Sequence, residues 1–269
     1  MNHTVLLAGC GNMGFAMLQG WLSSGALAPA DVQVVEPAEA LRSRAASLGA
    51  RAFSAAEEAG GSPGIIILAV KPQVMGGVLP SYVRFAAGGS AFLSIAAGIS
   101  TAFIAERLGA QTPIIRCMPN TPAAIGKGML VYWRNPHVSD ECEEFVRSLL
   151  TASGRVARVD DEGLIDAVTA VSGSGPAYVF HFIECLTEAG VTAGLPQEIA
   201  SELAMQTVMG SGALAAQSQE TPSRLREQVT SPNGTTAAAL AVLMKDGRMK
   251  ALIGEAVEAA HKRAVELGS

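Results

Sequence analysis

The sequence predicts an α/β domain built as a doubly wound sheet, followed by an all-α domain. Three observations carry this. Short apolar segments alternate with helical ones through the first 160 residues, as a sheet covered by helices on both faces requires. A glycine-rich turn stands directly between the first apolar segment and the first helix. After about Asp160 the strand signals stop and only helical patterns follow. The expected domains are therefore residues 1–160 and 161–269.

Thr4 to Ala8 (TVLLA) reads as a buried strand. Gly9, Cys10, Gly11, Asn12, Met13 and Gly14 then spell G-x-G-x-x-G before a helix, FAMLQGWLSSG. In that setting the first glycine makes the tight turn, the second admits a pyrophosphate to the backbone, and the third lets helix and sheet pack closely. The helix start offers unpaired N–H groups to the phosphates. Without its flanks the pattern would suit a plain tight turn; with them it points to a dinucleotide. VQVVE (32–36) is the next strand, and PAEALRSRAASLG (37–49) is a helix that Gly49 stops. IIILAV (65–70), AFLSI (91–95) and PIIRC (113–117) are continuous apolar strands. STAFIAERLG (100–109) is a helix capped by Ser100 or Thr101. MLVYW (129–133) and RVARV (155–159) are further strands, with a helix over 140–154 between them. Beyond Asp160 the chain is helical on both sides of SGSGP. A long helix opens at Pro196, where proline in the first turn costs little. Two more follow Pro222 and Ser231, and the last runs from about Arg248 to Leu267.

Composition narrows the function classes. Apolar residues make up 49%, enough for a sizeable core. The net charge is −5 with both signs interspersed, so neither a nucleic-acid face nor a basic membrane-surface helix is expected. Cys10, Cys117, Cys142 and Cys185 form no CxxC pair, and no histidine stands at metal-ligand spacing. Free thiols, no metal and a reducing cytoplasm are the expectation. The chain enters its first strand without a basic n-region or cleavage site, so no signal peptide is expected. No apolar run is long enough to span a membrane; Leu164 to Ile183 is broken by Asp166, Gly173, Gly175 and Pro176.

Several segments carry candidate chemistry. Glu36 ends the second strand, where an acid accepts hydrogen bonds from ribose hydroxyls and repels a 2′-phosphate. Arg42 and Arg44 on the next helix are positioned to meet such a phosphate instead, and all three also suit solvated surface charge. Ala69-Val70-Lys71-Pro72 and Ile95-Ala96-Ala97-Gly98 end two further strands, at the edge where open α/β sheets bind ligands. Asn120 and Thr121 lie in the rigid loop Met118–Pro122, equally suited to a structural turn or a substrate loop. Ser172–Tyr178 (SGSGPAY) interrupts a helix with glycines, which implies close packing, room for a ligand, or a simple turn. Thr230–Thr236 (TSPNGTT) opens a helix whose free N–H groups suit a carboxylate, although hydroxyls at a helix start are usually only caps. His181, on the apolar helix YVFHFI, reads as a core histidine, and no histidine has a clear catalytic partner. That disfavours a simple alcohol dehydrogenase and suits hydride addition to a C=N bond, since a protonated imine is already electrophilic.

With GCGNMG, AVKP, IAAG, RCMPNTP, VSGSGPAY and TSPNGTT in this order, the chain resembles the pyrroline-5-carboxylate reductases along essentially its whole length. The resemblance implies NADPH- or NADH-dependent reduction of a cyclic imine carboxylate, 1-pyrroline-5-carboxylate, to proline, the last step of proline biosynthesis. It implies a Rossmann-like first domain and a helical second domain that interlocks with another copy, giving a homodimer and larger assemblies, commonly decamers. Gly9, Cys10, Gly11, Asn12, Met13 and Gly14 would bind pyrophosphate. Ala69, Val70, Lys71, Pro72, Ile95, Ala96 and Ala97 would line the nicotinamide side, with Asn120 holding that region. Ser231, Asn233, Gly234, Thr235 and Thr236 would form the substrate turn. Thr236 would be the catalytic donor to the ring nitrogen. The family pattern usually has glycine where Asn233 stands, a mild departure because asparagine tolerates positive φ. Glu36 and Ala56 stand where some members carry small polar residues for a 2′-phosphate, which argues against strict use of NADPH. A β-hydroxyacid-dehydrogenase-like reductase would need a lysine on the helix that opens the second domain, and Leu164 to Glu188 contains none. A non-catalytic dinucleotide sensor or a pyridoxal-phosphate-handling protein would not need SPNGTT.

Overall fold

Apolar runs buried on both faces become the strands of one sheet. The computed structural model describes residues 2–268; Met1 and Ser269, the outer bounds of the two expected domains, lie outside the described residues. Among the described residues the strands are β1 (Val5–Ala8), β2 (Val32–Val35), β3 (Arg51–Phe53), β4 (Ile65–Leu68), β5 (Ala91–Ser94), β6 (Ile114–Met118), β7 (Gly128–Arg134) and β8 (Gly154–Arg158). They lie in the order β3-β2-β1-β4-β5-β6-β7-β8. The first six are parallel, and β7 runs antiparallel to β6. The connection from β6 to β7 is too short for the crossover that parallel pairing needs. β3 is absent from the sequence reading: Arg51-Ala52-Phe53 is three residues long, lies at the sheet's edge and has no continuous apolar run.

Alternation along each strand serves two cores. Val5 and Leu7 pack with Met17, Trp21, Ile65 and Ile67 on one face, while Leu6 and Ala8 pack with Ile66, Leu68 and Phe92 on the other. The helices around the sheet are α1 (Asn12–Ser24), α2 (Glu39–Ala46), α3 (Met75–Val78), α4 (Val83–Ala87), α5 (Thr101–Leu108) and α6 (Asp140–Thr151). Ser100 caps α5, its Oγ accepting from the Phe103 N–H at 3.2 Å. The Trp21 indole donates to the Leu149 carbonyl at 3.0 Å and so pins α1 to α6.

α7 (Leu164–Val168) runs into a π turn over Thr169–Gly173. A Cβ at Gly173 would stand 3.2 Å from Met118 Sδ, so close packing against the end of β6 is what this glycine serves. Buried Arg116 on β6 holds this region, pairing with Asp166 at 2.5 Å and Glu162 at 3.6 Å. Glu162 in turn accepts from the N–H and hydroxyl of Thr101, both at 2.7 Å. The helices that follow are α8 (Gly175–Thr192), α9 (Gln197–Gln217), α10 (Pro222–Gln228), α11 (Thr235–Leu243) and α12 (Arg248–Gly268). Pro196 stands at the N-cap of α9, one position before the first turn where the sequence places it, and its carbonyl accepts from the Ala200 N–H at 2.9 Å with no side-chain cap. The contacts divide the chain into two units, one through Ser174 together with the chain from Ala260, the other Gly175–Ala259. No helix among the described residues is long and apolar enough to cross a membrane.

Candidate active site

Strand order reverses between β1 and β4, and a cavity of about 560 Å³ opens at the carboxyl ends of β1, β2 and β4. Gly9, Gly11, Glu36, Ala69, Val70 and Lys71 line it, against apolar walls from Val35, Leu41, Val74, Val78 and Tyr82. The three glycines of the turn differ physically. Gly9 has φ +90°, and a Cβ there would stand 2.7 Å from the Ala69 carbonyl oxygen. A Cβ at Gly14 would stand 2.5 Å from the Gly9 carbonyl oxygen. Gly11 faces open space, so an anion reaches the backbone there without meeting a side chain. No side chain caps α1, which leaves its first-turn N–H groups for such an anion. These features fit a dinucleotide's phosphates.

Glu36, just past β2, is 8% exposed. Its carboxylate accepts from the Cys10 N–H at 2.8 Å and the Ala38 N–H at 3.0 Å. Arg42 Nη1 donates to the carbonyl oxygens of Glu36 and Pro37, at 2.9 and 2.8 Å. Arg44 lies 3.7 Å above the Phe15 ring. Neither arginine lines the cavity. Burial pushes the Cys10 thiol up to about 11.

Cys10, Asn12, Met13, Gly14, Pro72, Ile95, Ala96, Ala97 and Asn120 stand outside the cavity lining. Ala96 is buried, and Gly98 beyond it (φ +75°) is packed against Leu267 at the end of α12. The Asn120 amide bridges three elements: Oδ1 accepts from Met129 N–H at 2.8 Å, and Nδ2 donates to the Ser172 carbonyl and hydroxyl oxygens at 3.2 and 3.3 Å. The sequence reading misses Ser54, Ala55, Glu57, Val74, Val78 and Tyr82 as lining residues. The first three follow β3, the strand it does not anticipate. Pro72, which opens the 3₁₀ turn leading to Val74, was the available signal for the rest.

In the second unit the Ser231–Thr236 turn has its own geometry. Asn233 adopts φ +63°, the left-handed conformation that asparagine tolerates. A Cβ at Gly234 would stand 2.5 Å from Ser231 Oγ, so glycine lets that hydroxyl approach the start of α11. Neither Ser231 nor a threonine hydroxyl caps α11; Gly234 is its N-cap and no side chain accepts there. The first-turn N–H groups of Thr235 and Thr236 thus lack a side-chain partner at this end. His181 corrects the sequence reading: it is not a core residue, its side chain being 75% exposed and paired with Glu184 at 2.9 Å. Within this unit the face of α8 that carries it is uncovered, which apolar neighbours in sequence do not reveal.

Comparison with known proteins places both halves. Residues 162–267 match the family model for pyrroline-5-carboxylate reductase dimerisation, and residues 4–98 match one for coenzyme F420-dependent NADP oxidoreductases. A pyrroline-5-carboxylate reductase of Synechocystis sp. is 42% identical over 266 residues, covering 97% of each chain. The solved pyrroline-5-carboxylate reductase of Coxiella burnetii superposes with a TM-score of 0.94 at 31% identity, over 100% of both chains. That of Plasmodium falciparum, solved with NADP bound, gives 0.87 at 30% identity, over 99% of this chain and 98% of the other. The identity runs along nearly the whole chain and not only through the widely shared glycine turn, and on that basis this chain belongs to the pyrroline-5-carboxylate reductase family.

Proposed function

We propose that this chain reduces 1-pyrroline-5-carboxylate to L-proline with NADPH or NADH, closing proline biosynthesis. The observation that carries the reading is the start of α11: a left-handed Asn233, a glycine that admits Ser231, and first-turn N–H groups with no side-chain cap. This suits a small carboxylate. The absence of lysine from Leu164 to Glu188 disfavours a β-hydroxyacid-dehydrogenase type of reaction.

When bound, the reduced nicotinamide supplies a hydride to C5 of the imine. The chain's own groups orient and stabilise. Of the glycine turn, the N–H groups from Gly11 through Asn12, Met13 and Gly14 would hold the pyrophosphate, while Gly9 and Cys10, whose N–H groups are bonded to Val35 and Glu36, shape the turn, and Ala69–Pro72 and Ile95–Ala97 would line the nicotinamide side. Asn120 acts through the loops it joins. Ser231 and the N–H groups of Thr235 and Thr236 take the substrate carboxylate, and fixed orientation supplies much of the rate. The Thr236 hydroxyl donates to the ring nitrogen as that atom gains a lone pair. Asn233 and Gly234 hold the turn in shape. The match of residues 162–267 to a dimerisation model supports self-association as a homodimer, and so does the apolar surface of the helical unit, with Phe180 58%, Met209 59% and Leu252 65% exposed within one chain. Assembly of dimers to a decamer and residence in the cytoplasm complete the proposal.

The test is turnover. Purified protein should oxidise NADH or NADPH only when the imine is present, and EDTA should not change the rate. No turnover with either nucleotide across neutral pH would sink the proposal. Sedimentation should find no folded monomer at micromolar concentration.

A further inference from the structure

We infer that Glu36 discriminates against a 2′-phosphate and makes NADH the preferred nucleotide of this chain. The inference rests on the nucleotide-binding reading above and adds the identity of the nucleotide.

Three observations carry it. First, the Glu36 carboxylate is held in place. Its Oε2 and Oε1 each accept one backbone N–H, from Cys10 at 2.8 Å and Ala38 at 3.0 Å, in a residue only 8% exposed. An ionised carboxylate has about four lone-pair sites, so two remain for the hydroxyls of a ribose, which donate. A 2′-phosphate has no such protons to offer at neutral pH and brings a charge of about −1.5 to −2 against a carboxylate that cannot swing away. Second, the cavity wall beside Glu36 carries Pro37, Ser54, Ala55, Ala56 and Glu57, with no cation among them. Ser54 is bonded to Glu58, its hydroxyl donating at 2.5 Å. Among the described residues Lys71 is the one cation lining the cavity, and it follows β4. β1 lies between β4 and β2, so two strand spacings, about 10 Å, separate Lys71 from Glu36 at their bases. Third, the arginines that would bind a 2′-phosphate do not reach the cavity, although Arg44 keeps Nε and Nη2 buried and without a hydrogen-bond partner. Arg42 Nη1 is held by two main-chain carbonyls, Arg44 is stacked on Phe15, and neither lines the cavity. The Cys10–Glu36 bond also commits one N–H of the glycine turn, which leaves the pyrophosphate to the N–H groups from Gly11 onward.

The test is equilibrium binding of NADH, NADPH, ADP and 2′,5′-ADP to the full-length protein by calorimetry, independent of turnover. Wild type should bind NADH at least about tenfold more tightly than NADPH, and ADP more tightly than 2′,5′-ADP by a similar factor. Glu36→Gln should narrow both ratios to within about threefold, while Arg42→Ala should leave them unchanged. Because Glu36→Gln also disturbs the glycine turn, the ratio within each pair is what decides: a variant that weakens all four ligands but keeps the wild-type ratios overturns the role of Glu36. NADPH equal to or tighter than NADH in wild type, or a selective loss of NADPH in Arg42→Ala, overturns the inference and leaves the reductase reading standing. Failure of all four ligands to bind overturns the nucleotide reading itself, and the inference with it.

Discussion

The Asn120 amide donates to the carbonyl oxygen of Ser172 at 3.2 Å, joining the loop after β6 to the π turn that precedes α8. Its other end accepts the Met129 N–H at 2.8 Å. Asn120→Ala removes both and leaves a part-buried N–H without an acceptor, which should cost about 1–3 kcal/mol of stability. Urea unfolding of the variant checks this. An unchanged midpoint would mean that water replaces the amide.

Ser231 and Thr236 should separate in kinetics. Ser231→Ala should mainly raise the KM for the imine. Thr236→Ala should lower kcat by roughly the 10²–10⁴-fold of a lost general acid, or less when the imine arrives protonated. Both variants should keep wild-type affinity for NADH. A Thr236→Ala enzyme with unchanged kcat and raised KM would reassign this hydroxyl to binding.

Gly14→Ala tests the glycine turn. The added Cβ would stand 2.5 Å from the Gly9 carbonyl oxygen, a main-chain atom that cannot simply rotate aside. Nucleotide affinity should fall by more than about 1.4 kcal/mol, a tenfold rise in Kd. Gly11→Ala, facing open space, should leave stability unchanged and weaken only nucleotide binding.

Asn233 has φ +63°. Asn233→Gly should therefore be tolerated, and Asn233→Val should cost about 1–2 kcal/mol, the penalty of the left-handed region for an ordinary side chain. Thermal unfolding of the pair checks the ordering. Equal midpoints would show that the turn relaxes to negative φ.

Thiol chemistry reads the packing. Burial pushes the Cys10 and Cys142 thiols up to about 11 and raises Cys117 by the same cause. The thiolate is the reactive form, so at pH 8 these three stay protonated as well as shielded. An aromatic disulfide reagent should count at most one fast thiol, Cys185, in the native protein and all four in guanidinium. A second fast thiol in the native protein would show that a core face opens.

Local features were legible in the residues themselves. IIILAV is apolar without alternation because β4 is covered on both faces, Ser100 caps α5 because its hydroxyl reaches a neighbouring N–H, and the glycine turn is recognisable from its strand and helix. Each depends on residues a few positions apart. Tertiary structure decided the rest. β3 exists because a three-residue edge segment finds β2. β7 is antiparallel because its connection is too short to cross over. Whether a polar side chain faces a ligand or the protein's own backbone depends on partners far along the chain: Glu36 meets Cys10 across 26 positions and Asn120 meets Ser172 across 52. A pattern along the sequence specifies which face a side chain takes; which group it meets there is set only when distant segments pack.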